Sequence, residues 1–202
     1  MGKHFNKIDW SLKAEKIQEK ISAKYYNSKK GYFNCAFTPS GENDTFDFAA
    51  HNLMAFVEDI NVSDEYAQSL TWIEEYFITK DNLPRAFYPV IDQSHKDWDL
   101  ISNFHLFDFK NKPHHYHNGG IWFIWLGWYA LALHKNKKYK ALELLGELSF
   151  KQLNAVEHFD FDEYFTGDTF EPNGTKKLCY TATGILFLCK TLREKQLPFD
   201  LF

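Results

Sequence analysis

Tyr116-His117-Asn118-Gly119-Gly120-Ile121-Trp122 opens a segment that stays apolar almost without interruption to Leu133. From Gly119 to Leu133 apolar side chains fall at every helical angle, the pattern of a helix buried on all sides, and the run is shorter than the roughly 20 residues needed to span a bilayer. The turn from polar loop to buried helix comes at two consecutive glycines, where no Cβ keeps a neighbour away, and at a helix start, where backbone N–H groups are free. Two readings of this junction stand side by side. A ligand is held against the bare backbone, or Asn118 caps the helix and the glycines let it pack closely.

Working outward, the same alternation recurs. Ile8, Leu12, Ile17, Ile21 and Tyr25 lie among Lys, Glu and Gln, which predicts an amphipathic helix from about Asp9 to Tyr26. Gly31, Pro39, Ser40, Gly41 and Asn43 make a loop of the stretch from Asn27 to Thr45. Phe46 to Ile60 is apolar nearly all round and predicts a buried helix. Ser63 then caps an amphipathic helix with Tyr66, Leu70, Ile73 and Phe77 on one stripe. Asp81 to Asn118, with Pro84, Pro89 and Pro113, is a connection of the length that usually carries function. After the central helix, Lys137 to Leu153 is amphipathic, Asn154 to Lys176 is a third loop, and Lys177 to Leu192 is a mostly apolar helix.

No β-branched alternation supports a sheet, so the class is all-α. Three helical hairpins, each an outer wet helix followed by an inner buried one, predict part of a concentric toroid formed as a single domain over residues 1–202. The links at Asn61-Val62 and near Lys135-Asn136 are short, so the three long loops emerge on the opposite face, which then carries the site. Three hairpins alone leave two apolar edges, and these call for either a missing N-terminal half or self-association.

A formal net charge of −4 with both signs dispersed argues against nucleic acid or a polybasic membrane surface as partner. The amino terminus has no apolar leader, and Cys35, Cys179 and Cys189 are odd in number and lack metal-ligand spacing. Both observations predict a cytoplasmic protein with reduced thiols. On that expectation the sequons Asn61-Val62-Ser63 and Asn173-Gly174-Thr175 carry no glycan. Aromatic residues make up 18 % of the chain, many of them in loops, where rings either stack on sugars or pack the core. His114, His115 and His117 have the wrong spacing for a zinc cage, and nucleotide-binding and serine-hydrolase motifs are missing. No metal and no cofactor is expected.

With these stretches placed, Pro113-His114-His115-Tyr116-His117-Asn118-Gly119-Gly120-Ile121-Trp122 resembles the Tyr-His-Asn-Gly-Gly-x-Trp signature of neutral/alkaline invertases and related amylo-1,6-glucosidase-like enzymes. Two further stretches agree in order. Asp47 to Leu53 is similar to the Asp-x-x-x-Asn-x-Leu start of an earlier inner helix. Phe161-Asp162-Glu163-Tyr164-Phe165-Thr166-Gly167, continued by Glu171-Pro172-Asn173-Gly174, is similar to a Glu-Tyr-Tyr-Asp segment followed by Thr-Gly. The similarity runs from Phe33 to Leu192 and corresponds to the C-terminal half of that family's catalytic domain.

The resemblance implies a partial (α/α)6 toroid and inverting hydrolysis of a glycosidic bond, with Glu163 as general base. It implies a carbohydrate substrate bound by Asp47, Tyr116, His117, Asn118, Gly119, Gly120 and Trp122. The family's general acid has no counterpart here. Asp47, Asp97 and Asp99 are carboxylates on the predicted site face, but the match places Asp47 at a helix start. Ile124-Trp125 and the lack of Trp between Leu178 and Thr181 depart from the family pattern. Two alternatives stay open: a carbohydrate-binding remnant without catalysis, and a sugar 2-epimerase-like enzyme on the same toroid, for which His51, His105 and His117 are the available histidines.

Overall fold

The computed structural model describes residues 8–34, 36–38, 41–43, 46–47, 53, 64–77, 83–103 and 107–194. Among these, six helices carry the fold: α1 (Ile8–Tyr25), α2 (Asp64–Phe77), α3 (Trp98–Ser102), α4 (Phe123–Lys135), α5 (Tyr139–Ala155) and α6 (Cys179–Glu194). Four antiparallel ribbons decorate them. β1 (Tyr26–Asn27) pairs with β2 (Tyr32–Phe33), β3 (Ala36–Thr38) with β4 (Gly41–Asn43), β5 (Phe46–Asp47) with β6 (Phe87–Tyr88), and β7 (Tyr164–Phe165) with β8 (Pro172–Asn173). The result is a mostly-α chain with a few short strands.

The ribbons correct the expectation of strandless loops. Strands of two or three residues are too short to show alternation, and turn chemistry fixes them instead. At β1–β2, Asn27 Oδ1 accepts the N–H groups of Lys29 and Lys30, both at 3.2 Å, and Gly31 takes φ +75°. A second correction concerns Phe46 and Asp47, which form a strand rather than a helix start. The rest of the buried helix expected up to Ile60 lies outside the described residues, except for Leu53, which is helical and fully buried. The link Asn61-Val62, Ser63 and Cys35 also lie outside them.

The central helix begins four residues later than its apolar pattern suggests. Gly119 to Trp122 are not helical, and Trp122 is the extended N-cap of α4, at φ −118° and ψ 120°. Hydrophobicity alone could not reveal this, because the strand-like residues before Phe123 are as buried as the helix after it. Within α4, Phe123, Ile124, Leu126, Gly127 and every residue from Tyr129 to Leu133 are buried, as an inner helix requires. Each large side chain so buried contributes on the order of 1.5–3 kcal/mol.

α4 packs most extensively on α6, and glycine makes the contact possible. A Cβ on Gly184 would lie 2.1 Å from the Phe123 carbonyl oxygen, and one on Gly127 would lie 2.6 Å from the Gly184 carbonyl oxygen. The two backbones therefore touch. α5 buries only one stripe, Ala141, Leu142, Leu145, Gly146 and Ser149, as an outer helix does.

α6 departs from the mostly apolar buried helix expected for it. Its buried positions Thr181, Gly184, Leu188 and Thr191 form a single stripe, while Leu186 is 67 % exposed and Tyr180 is exposed too. α1 buries no residue at all. At the far end of the hairpin, Lys138 before α5 pairs with Glu74 of α2. Among the described residues no helix is long and apolar enough to cross a membrane.

Candidate active site

Three loop segments are knitted together at the start of α4. Ala86 N–H donates to the Gly120 carbonyl at 2.8 Å, and Gly120 N–H donates to the Tyr116 carbonyl at 3.0 Å. Ile121 and Phe165 exchange two backbone hydrogen bonds at 2.8 and 2.9 Å, and Gly167 N–H reaches the His114 carbonyl at 2.8 Å. Arg85 Nη2 closes the group by donating to the Gly167 carbonyl at 2.9 Å. The glycines are needed because the loop packs on itself. Gly119 sits at φ +96°, where a Cβ would meet Val90 Cγ2 at 2.6 Å, and a Cβ on Gly120 would lie 2.3 Å from the Tyr116 carbonyl oxygen.

Asn118 braces the same loop. It is 4 % exposed. Its Oδ1 accepts the Ile91 N–H at 2.8 Å, and its Nδ2 donates to the carbonyls of Ile91 at 2.7 Å and Asn111 at 3.0 Å. Both of its N–H donors are thus committed to protein.

Beside this loop a cleft of about 320 Å³ is lined by Phe109, Lys110, Lys112, His115, Tyr116, Glu163, Tyr164, Asn173 and Gly174. Glu163 reaches it from a firmly held backbone. The buried Asp162 before it accepts the Thr181 hydroxyl of α6 on its carbonyl at 2.7 Å and the Asp160 N–H on Oδ2 at 3.1 Å. Tyr164 after it pairs with Asn173 in the β7–β8 ribbon. The Glu163 carboxylate accepts the Thr175 N–H on Oε2 at 3.0 Å. Lys110 Nζ stands over the Tyr116 ring, 5.5 Å from its centroid.

The wall behind the cleft is aromatic. Trp122 stacks on Tyr164 with ring centroids 5.7 Å apart, Tyr116 meets both edge-on, and the His117 ring lies flat on Tyr116 at 4.2 Å. Trp125 extends the cluster, 4.8 Å from Trp122. Burial, with the charge of Glu163 adding to it, raises the Tyr164 phenol above its ordinary value, against a backbone hydrogen bond from Tyr116. His114, at φ 68°, is held below the usual imidazole range, first by burial and then by the Arg85 guanidinium.

The profile of a family described as alkaline and neutral invertase matches residues 3–195. The chain belongs to that family. No curated protein matches it. As a member of the alkaline and neutral invertases, the chain falls among glycoside hydrolases, and the cleft with Glu163 is where a carboxylate, polar side chains and ring faces meet.

The residues that the family signature singles out do not all lie in one place in this invertase-family chain. Tyr116 and Glu163 line the same cleft. His117 and Asn118 line a smaller cavity of about 80 Å³ with Phe87, Ile91, Ile101 and Asn111. Gly119, Gly120 and Trp122 are buried beneath, and the backbone of Asp47 lies beside Phe87 through β5–β6. Asp97 and Asp99 sit at the start of α3 and do not line the Glu163 cleft. His51 and His105 lie outside the described residues, so the histidine set of the epimerase reading is not assembled from what is described. No group of three or more His, Cys, Asp or Glu among the described residues could hold a metal ion. Lys110 and Lys112 were not singled out from sequence, and His115 and Tyr164 lay in the quoted stretches without being named as substrate-binding residues. Only their place next to motif residues, and for the lysines their charge within a polar loop, pointed to them.

Proposed function

We propose that this chain is the base-bearing part of an inverting glycoside hydrolase acting on a carbohydrate, with Glu163 as general base. The observation that carries the reading is the Glu163 carboxylate lining a sugar-sized cleft, with one oxygen held by the Thr175 N–H. Glu163 takes a proton from water while the water oxygen bonds to the anomeric carbon. The glycosidic C–O bond breaks, and its oxygen leaves with a proton from an acid roughly 6.5–9.5 Å from the base. Tyr116 and Tyr164 offer ring surface to the sugar, and Lys110, Lys112 and Asn173 offer hydrogen bonds.

Asp97 and Asp99 do not line the cleft, and among the described residues Glu163 is the carboxylate that does, so on this reading the proton donor is supplied from elsewhere. On this reading the chain forms part of an (α/α)6 toroid, completed by an N-terminal half or by a second copy. What supports the completion is the outward-facing Leu186 and Tyr180 of α6 and the absence of buried residues in α1.

The second reading is a carbohydrate-binding chain without catalysis, and the uncommitted proton donor favours it. A positioned acid and a positioned base each contribute about 10²–10⁴ in rate, so the chain alone is expected to leave ordinary glycosides intact. A glycosyl fluoride separates the two readings, because fluoride leaves without needing a proton. The expected result is slow hydrolysis of the matching fluoride with inversion, reduced by about 10² in Glu163→Gln. No cleavage, with sugar still quenching tryptophan fluorescence, establishes the binding reading. Cleavage of unactivated glycosides that Glu163→Gln abolishes puts the donor within this chain and removes the need for a missing half.

A further inference from the structure

We infer that Gly174 and the Thr175 N–H are positioning groups for the Glu163 carboxylate, an assignment that rests on Glu163 being the base. The β7–β8 register decides the geometry. Tyr164 pairs with Asn173, so the next residue along, Gly174, comes to lie opposite Glu163. Cβ atoms of directly opposed residues normally stand about 4.5–5.5 Å apart. At this position the ribbon closes far more tightly. A Cβ on Gly174 would lie 2.7 Å from Glu163 Cβ and 2.6 Å from Oε2, with Tyr164 Cδ1 at 3.2 Å.

The carboxylate therefore occupies the space that any side chain at residue 174 would fill. Gly174 also holds φ +81°, a left-handed conformation that a residue with a Cβ adopts only at a cost. Asn173 Oδ1 accepts the Gly174 N–H at 2.8 Å, which fixes the turn so that the following N–H, that of Thr175, points at Oε2 from 3.0 Å. With Oε2 committed to Thr175, Oε1 is the oxygen that takes the proton from water. A free glutamate on a loop samples several rotamers, whereas this one is folded back against a backbone donor before substrate arrives, and a misplacement of about 1 Å in a reacting group can cost 10²-fold in rate.

Two measurements test the assignment independently. The first needs no catalysis. In ¹⁵N NMR the Thr175 amide proton should shift as acid protonates Glu163, and this response should vanish in Glu163→Gln. It should persist in His115→Gln, which removes the imidazole of the cleft, the remaining titratable groups there being Lys110, Lys112, Tyr116 and Tyr164. The second uses the glycosyl fluoride with Thr175→Pro, which removes the donor and fixes φ at that residue, and Gly174→Ala, which fills the space. Both should lower kcat by about 10² while KM changes less than about threefold and the circular dichroism spectrum stays as in the parent chain. A Thr175 amide that ignores pH, or responds equally in Glu163→Gln, overturns the assignment. So does a parental kcat in both folded variants. Loss of fluoride hydrolysis that is indifferent to Glu163→Gln refutes the base instead, and the amide response still reports on the hydrogen bond.

Discussion

Asn118 shows how a residue can be picked out in the sequence while its partners stay hidden. Its place in the Tyr-His-Asn-Gly-Gly-x-Trp pattern was legible, and so was its position before two glycines. Its partners were not, because Ile91 and Asn111 are brought to it only by the folded loop. Removing the side chain leaves the Ile91 N–H and carbonyl buried without their partners, at about 1–3 kcal/mol for each lost group. Asn118→Ala is expected to cost about 2–6 kcal/mol for the two groups and so to lower Tm by roughly 4–24 °C, at about 2–4 °C per kcal/mol for a chain of this size. The check is thermal unfolding followed by circular dichroism. An unchanged Tm with lost sugar binding would assign Asn118 to the ligand after all. Glu163 is the converse case. Its neighbours in sequence marked it, while the opposing turn at Gly174 and Thr175 could be recognised only once the ribbon register was known.

At the level of elements, the helices were legible wherever their apolar pattern was strong. α2, α4 and α5 fall close to where periodicity puts them. α6 was misread because the residues that seat it are Thr181, Gly184 and Thr191 as much as Leu188. Small and hydroxyl-bearing residues do not register as core in a hydrophobicity pattern, yet they are what lets two helices meet backbone to backbone. The consequence is a sharp asymmetry between glycines. Gly184→Ala drives a Cβ to within 2.1 Å of a carbonyl oxygen that cannot move aside, whereas Gly146→Ala meets Leu192 Cδ1 at 2.7 Å, the far end of a flexible side chain. Overpacking costs about 1–3 kcal/mol or more, against about 1 kcal/mol gained by replacing a helical glycine. Denaturant titration should therefore find Gly184→Ala destabilised by about 2 kcal/mol or more and Gly146→Ala within about 1 kcal/mol of the parent. Equal stabilities would mean that α4 and α6 separate more easily than their contact suggests.

Across the whole molecule, the mostly-α class and the contrast between the buried α4 and the one-sided α5 were carried by the sequence, and the ribbons joining the loops at the start of α4 were not. Ladders of two or three residues are selected by tertiary contact rather than by local pattern. The same scale brings out the unequal anchoring of the chain. α4 is buried along nearly its whole length, whereas in α1 Ile8 is 75 % exposed and Trp10, Leu12 and Ile17 are about half exposed. A helix that buries no residue draws little stability from packing, which is where most helical stability in proteins comes from. The molecule should accordingly keep time by two clocks. In deuterated solvent the amide protons of α1 should be replaced by local opening, long before those of α4, whose exchange waits for global unfolding. Mass spectrometry of peptic fragments reads both directly. If α1 is protected as strongly as α4 in the isolated chain, something already covers it. If protection of α1 rises only when a matching half is added, the slowed clock marks the surface on which that half comes to rest.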